Sequence, residues 1–125
     1  MRRFVGVRLQ DGTCRVYVED DRDPSAPRRR LQSAKKLHAN APSGFEWGNA
    51  SGAAAHLARA LVAETLGDPE PSPRLYLTFK ARWVSKMPRA GWALEEWEVR
   101  RAIDQIEEEF ARRDREAPHA HEGAK

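Results

Sequence analysis

The residue types that could do chemistry in this chain concentrate at positions 43–52, Ser-Gly-Phe-Glu-Trp-Gly-Asn-Ala-Ser-Gly. Three glycines, two aromatics and one carboxylate stand directly before a stretch of helical periodicity. Ser51 is a good N-cap for that helix. Backbone N–H groups at a helix start can hold an anion, and glycines let a phosphate or carboxylate come close. Gly44, Glu46, Gly48, Asn49, Ser51 and Gly52 are therefore the candidate anion-binding residues. The structural alternative is a tight turn in which Phe45 and Trp47 plug the core and Ser51 only caps. The run is not a P-loop, because no Lys-Ser/Thr pair follows its glycines.

Within the run, Glu46 lies between two aromatics, where partial burial could raise its pKa and make it a general base. The competing reading is that its carboxylate accepts from backbone N–H groups at the start of the following helix. His38 and His56 flank it in sequence and are the candidate partners for acid–base work. By helical spacing His56 falls on the side away from Leu57 and Leu61, and His38 reads as a loop histidine. His119 and His121 belong to the C-terminal tail. Two histidines and one glutamate without regular spacing make no metal motif, and Cys14 reads as a packed thiol. No Ser/His/Asp order is visible, so no catalytic residue, metal or cofactor is assigned, and an enzyme using Glu46 with His38 or His56 stays a lesser alternative.

A second cluster is basic. Arg28, Arg29, Arg30, Lys35 and Lys36 could gather beside Arg8, Arg15 and Tyr17 and suit phosphates or unstacked bases. The alternative is a solvated loop that maintains solubility. The net charge is +3, with ten Arg/Lys against six Asp/Glu in residues 1–50 and six against ten in residues 93–125. A basic body with an acidic last segment could attract an anionic partner at one end.

Other elements must position these residues. The chain has 125 residues, 40% apolar and 33% charged, enough for a single core. No window approaches a membrane span, no apolar segment follows Arg2-Arg3, and the single cysteine fits a reducing compartment. A soluble, cytoplasmic protein is expected. Residues 3–9 and 13–19 read as strands joined through Asp11-Gly12, a strong hairpin signal. Alternation is read as burying Val5, Val7 and Leu9 with Cys14, Val16 and Val18, leaving Phe4, Arg8, Arg15 and Tyr17 outside. Residues 20–36 read as a basic loop, a candidate for mobility, anchored by Leu31 and Leu37; a short third strand near 29–38 is weakly signalled.

Three helices follow. The first has Ala54, Leu57, Ala58, Leu61 and Thr65 on one face and stops at Gly67. The second starts at Ser72-Pro73, carries Leu75, Tyr76, Phe79, Trp83 and Met87, and stops at Pro88. The third begins near Glu95 and buries Val99, Ala102, Ile103, Ile106 and Phe110, its acidic first turn facing the helix dipole. The four tryptophans, Trp47, Trp83, Trp92 and Trp97, read as core. The expected fold class is α+β, a small antiparallel hairpin or sheet covered by about three helices. Residues 1–113 form a single globular domain in this reading, and residues 114–125 a disordered tail.

Gly44-Phe45-Glu46-Trp47-Gly48, then Ser51-Gly52 and His56-Leu57-Ala58-Arg59-Ala60-Leu61, resembles the hallmark of an uncharacterised family of small bacterial, plasmid and phage proteins. That family reads Gly-Phe-Glu-Trp-Gly-Tyr-Gly-Gly-Ser-Gly-Pro before a Leu/Ala-rich helix. Phe4, Gly6 and Arg8, Leu66-Gly67-Asp68, Phe79-Lys80, and Pro88 followed by Trp92 and Leu94 extend the resemblance over about residues 3–106. Asn49-Ala50 and Ala53 depart from the pattern. The resemblance implies a shared organisation and carries no activity. The function is therefore unknown from sequence. The leading reading is a non-catalytic accessory or regulatory protein acting through protein contacts, with a nucleic-acid or anion-binding module as the alternative.

Overall fold

The computed structural model describes residues 2–20, 22, 25, 27–32 and 44–123, the last stretch from 117 as backbone. His38, Lys35, Lys36 and Leu37 lie outside the described residues. Strands β1 (Arg2–Arg8) and β2 (Cys14–Asp20) form the expected hairpin. Leu9 N donates to Thr13 O at 2.8 Å, Gly12 N donates to Leu9 O at 2.9 Å, and the Asp11 carboxylate accepts from Thr13 N at 2.9 Å. This closure fixes the register, pairing Phe4 with Val18, Gly6 with Val16 and Arg8 with Cys14.

That register corrects the expected faces. Residues directly opposite each other in an antiparallel pair share a face, so Cys14, Val16 and Val18 bury with Phe4 and Gly6, and Val5 and Val7 go with Tyr17 and Arg15. Phe4 is wholly buried, while Val5, Val7 and Leu9 are half-buried. The expectation had combined the wrong halves of two alternating patterns, a slip of one residue that exchanges every side chain of β1 between faces.

β3 (Arg29–Arg30) adds a two-residue edge beside β2, and Leu31, one of the expected anchors, is buried just after it. β4 (Gly91–Glu95) pairs with β1 on the other side and completes an antiparallel sheet in the order β3-β2-β1-β4. β4 escaped the sequence reading. Its five residues run straight into a helix, and their partner strand lies at the other end of the chain.

The helices are α1 (Gly52–Leu66), α2 (Pro73–Arg82) and α3 (Glu96–Gly123). The Ser51 hydroxyl accepts from Ala54 N at 3.2 Å, and Gly67 closes α1 in the left-handed conformation. α1 is buried on most of its circumference, with Leu57, Ala58, Leu61 and Val62 fully enclosed. α2 ends earlier than expected. After Arg82 the chain tightens into a 3-10 turn, Val84–Lys86, which brings both Val84 and Met87 to the core and redirects the chain toward β4. α3 buries Val99, Ala102, Ile103 and Ile106, with Phe110 packed at the edge; residues 111–116 are exposed along a helix that continues to Gly123.

Trp97, expected in the core, is 49% exposed. Two positions before Val99, it sits roughly 200° around the helix from the buried stripe. The core joins Phe4, Cys14, Val16 and Val18 of the sheet to Leu57, Leu61, Phe79, Ile103 and Ile106 of the helices. All three helices thus share their core with one face of the sheet, α2 packing on α1 and α3. Val5, Val7 and Tyr17 take no part in that core, and among the described residues no helix or strand forms a layer over them.

Candidate functional site

The turn at 44–52 is built from three directions onto the covered side of the sheet. Arg8, at the end of β1, is its hub. Its Nη2 donates to Glu46 Oε1 at 2.7 Å, its Nε to Arg89 O at 2.7 Å, and its guanidinium lies 5.3 Å from the Trp47 ring centre. Trp47 is fully buried, its Nε1 donates to the same Arg89 carbonyl at 3.0 Å, and its ring meets Trp92 edge-on at 5.5 Å. Trp92 in turn lies across Gly6, where a Cβ would overlap the indole, so this strand position admits only glycine without rearrangement. Gly48 adopts φ +75° and sends its N–H to Val84 O at 2.9 Å, with the Met87 carbonyl close behind its Cα. A side chain there would strain both the dihedral and the contact.

Glu46 Oε1 accepts from Arg8, from Trp47 N at 3.0 Å and from the Cys14 thiol at 3.4 Å. The expected upward pKa shift is corrected. The Arg8 hydrogen bond outweighs burial and holds the carboxyl down at about 2. The backbone group it binds is its own neighbour, Trp47, and not the start of α1. Burial, then the bond to the Glu46 carboxylate, pushes the Cys14 thiol up to about 11. A carboxylate that stays ionised and already holds three donors is a weak base at neutral pH, and a thiol with a raised pKa is a poor nucleophile. The arrangement suits a fastener that ties the hairpin end, the turn and the loop before β4 into one piece.

The remaining turn candidates also have local roles. Asn49 Oδ1 accepts from Ser51 N at 3.0 Å, and Ser51 caps α1. Gly52 opens α1 and is exposed, and Gly44, also exposed, takes φ +99°. Gly44 and Phe45 line a cavity of about 310 Å³ together with Cys14, Val16, Arg30, Leu31 and Gln32. His56 is half-buried, its ring 5.4 Å from that of Phe45 in a tilted contact.

The basic candidates divide between the two faces. Arg29 turns to the helices and donates to Glu64 at 2.9 Å; Arg2 bonds both Glu64 and Glu96. Burial pushes the Glu64 carboxyl up, but the Arg29 and Arg2 guanidiniums prevail and hold it below its ordinary value. Arg28 instead lies 4.0 Å over the Tyr17 ring, with Glu19 at 3.5 Å. Arg30 is exposed, in register with Tyr17. Arg15, also on the open face, has its Nε shielded from water with no hydrogen-bond partner. Val5, Val7 and Arg15 were not recognised together from the sequence. The signal that would have found them is the hairpin register, which follows from the turn at Asp11-Gly12.

Among the described residues, no helix is long and apolar enough to cross a membrane, and no three His, Cys, Asp or Glu side chains group as a metal site requires. Fold and site define a two-layer α+β protein: a four-stranded antiparallel sheet, helices on one face, and a turn locked by an Arg–Glu pair. The chain belongs to a family of unknown function (DUF6166), whose model matches residues 4–105. No curated protein and no solved structure matches it. The matched span takes in Arg8, the 44–52 turn and Trp92, which meet at the fastener, and Phe4, Gly6 and Leu94 beside them in the sheet.

Proposed function

We infer that this is a non-catalytic accessory protein that works by binding, with the open face of its sheet as the working surface. The observation that carries this reading is the one-sided cover of the sheet. Val5, Val7 and Tyr17 stand on two central strands yet lie outside the core that unites the rest of the molecule. Apolar and aromatic groups held on a rigid sheet, rimmed by charge, are what a contact surface offers. The acidic last helix is a poorer docking element, because Val99, Ala102, Ile103 and Ile106 already face the core. Deleting residues 95–116 would therefore unfold the protein before it tested a contact. The lone buried cysteine supports action in a reducing compartment such as the cytoplasm.

The test is co-purification from the native host with the wild type and with a Tyr17→Ala/Val7→Lys variant, both checked for the same thermal unfolding. A bound macromolecule retained by the wild type and lost by the folded variant is the expected result. Equal retention by both would move the working surface off the sheet.

A further inference from the structure

We propose that the open sheet face binds single-stranded nucleic acid, with Arg15, Arg28 and Arg30 toward the phosphates and Tyr17 as a platform for a base. This rests on the reading of that face as the working surface. The charge there is unbalanced in one direction. Arg3 and Glu95 neutralise each other at 3.0 Å, and Glu19 stands 3.5 Å from Arg28. Among the described residues, neither Arg15 nor Arg30 makes a close ion pair, although the Asp11 carboxylate at the hairpin turn is near enough to feel the Arg15 charge. The Arg15 Nε is buried without an acceptor, so a phosphate would have to be met by the terminal guanidinium nitrogens, as charge-assisted hydrogen bonds.

The shape selects among anions. Tyr17 sits on a central strand with the Arg28 guanidinium over one side of its ring at 4.0 Å, and Val5 lies directly across from it on β1. A planar cation next to an aromatic and an apolar strip matches the alternation of phosphate and base along an unpaired strand. Sheets backed by helices and bearing surface aromatics hold single strands in this way. A duplex hides its base faces and asks for a helix or ribbon that enters a groove. The open face here is a sheet surface, so a single strand is the better match. An acidic protein would satisfy the arginines but would have no specific use for the Arg28–Tyr17 stack.

The test is fluorescence anisotropy on the full chain, with labelled oligothymidylate, oligouridylate and a mixed-sequence duplex over a salt series from about 50 to 300 mM. Single strands should bind at micromolar concentration or tighter, and better than the duplex. With about three phosphates engaged, log affinity should fall with log salt at a slope near −2. Arg15→Glu combined with Arg28→Glu should weaken binding at least about tenfold and flatten that slope. Tyr17→Ala should weaken it by about 5- to 100-fold and leave the slope unchanged. Lys86→Glu, in the helical layer, should have little effect. Binding that the open-face variants do not change, or equal binding to the duplex, would overturn the proposal. No single-strand binding at low salt would also overturn it. If the Tyr17→Ala/Val7→Lys variant still lost a co-purifying protein, the working surface would stand and its partner would be that protein.

Discussion

The two faces of the sheet are made by the same strands and match their charges to different degrees. On the covered face Arg8 has Glu46 and the Arg89 carbonyl, Arg29 has Glu64, and Arg2 has Glu64 and Glu96. These pairs are partly shielded from water, where an unmatched charge is expensive and a matched one holds its neighbours in register. On the open face Arg3 has Glu95 and Arg28 has both the Tyr17 ring and Glu19, while among the described residues Arg15 and Arg30 make no close ion pair. One face uses charge to close the fold. The other leaves part of its charge available, and that contrast is what supports the proposed working surface.

The contrast can be broken at several points. Removing the plug should do the most damage. Trp47→Ala deletes a fully buried indole and its bond to Arg89 O and should cost about 3–5 kcal/mol in urea unfolding. Unchanged stability would undo the idea that the turn is fastened to the core. Glu46→Gln keeps the shape but removes the charge that answers Arg8, and should cost about 1–3 kcal/mol at pH 7.

The same variant has a pH signature. The folded carboxyl titrates at about 2 against an ordinary 4.5, so its contribution is complete above the higher value and fades as pH falls toward the lower. Wild type and Glu46→Gln should therefore converge in stability between those two values. A gap that persists to the lowest pH would place the effect in packing and not in charge.

Cys14 offers a kinetic reading of the covered face. With its thiol pushed up to about 11 and its sulfur donating to Glu46, it should react with a disulfide reagent at pH 8 far more slowly than in the urea-unfolded chain. Rapid labelling of the native protein would show the turn opening. The smallest effects belong to the open face. Arg15→Ala should stay within about 0.5 kcal/mol of wild type, and Tyr17→Ala, which loses its Val5 neighbour and the Arg28 stack, within about 1–2 kcal/mol, because neither side chain belongs to the core. A large loss at either would mean that the face is structural after all.

Local signals carried much of the fold. Asp11-Gly12 marked the hairpin, Ser51 and Gly67 bounded α1, Ser72-Pro73 opened α2, and the stripe from Val99 to Ile106 defined the buried side of α3. Each is written within a few residues of chain. The failures arose where two signals had to be combined or where the partner was remote. The β1 and β2 alternations were both legible, but their relative phase depends on turn closure, and mis-phasing them turned Phe4 outward and Val5 inward. Trp97 was read by type, although its helical position set its exposure. β4 pairs with β1 from across the whole chain, so Gly91–Glu95 had no local partner to announce it.

The candidate site divides along the same line. Residue types alone singled out Gly44, Glu46, Trp47 and Gly48 as an unusual turn, and Arg28–Arg30 as an excess of cationic charge. Composition, capping and periodicity are properties of the chain itself, and they determined an α+β protein with one core. What Glu46 does with its charge was decided only when the fold brought Arg8 and Cys14 to within hydrogen-bonding reach. Which arginines remain available was likewise a tertiary outcome: Arg29 and Arg28 are neighbours in sequence, yet strand alternation sends one to Glu64 and the other onto Tyr17. A pKa and an open face both depend on what lies within a few ångströms in space, and a linear order of residues does not contain that distance.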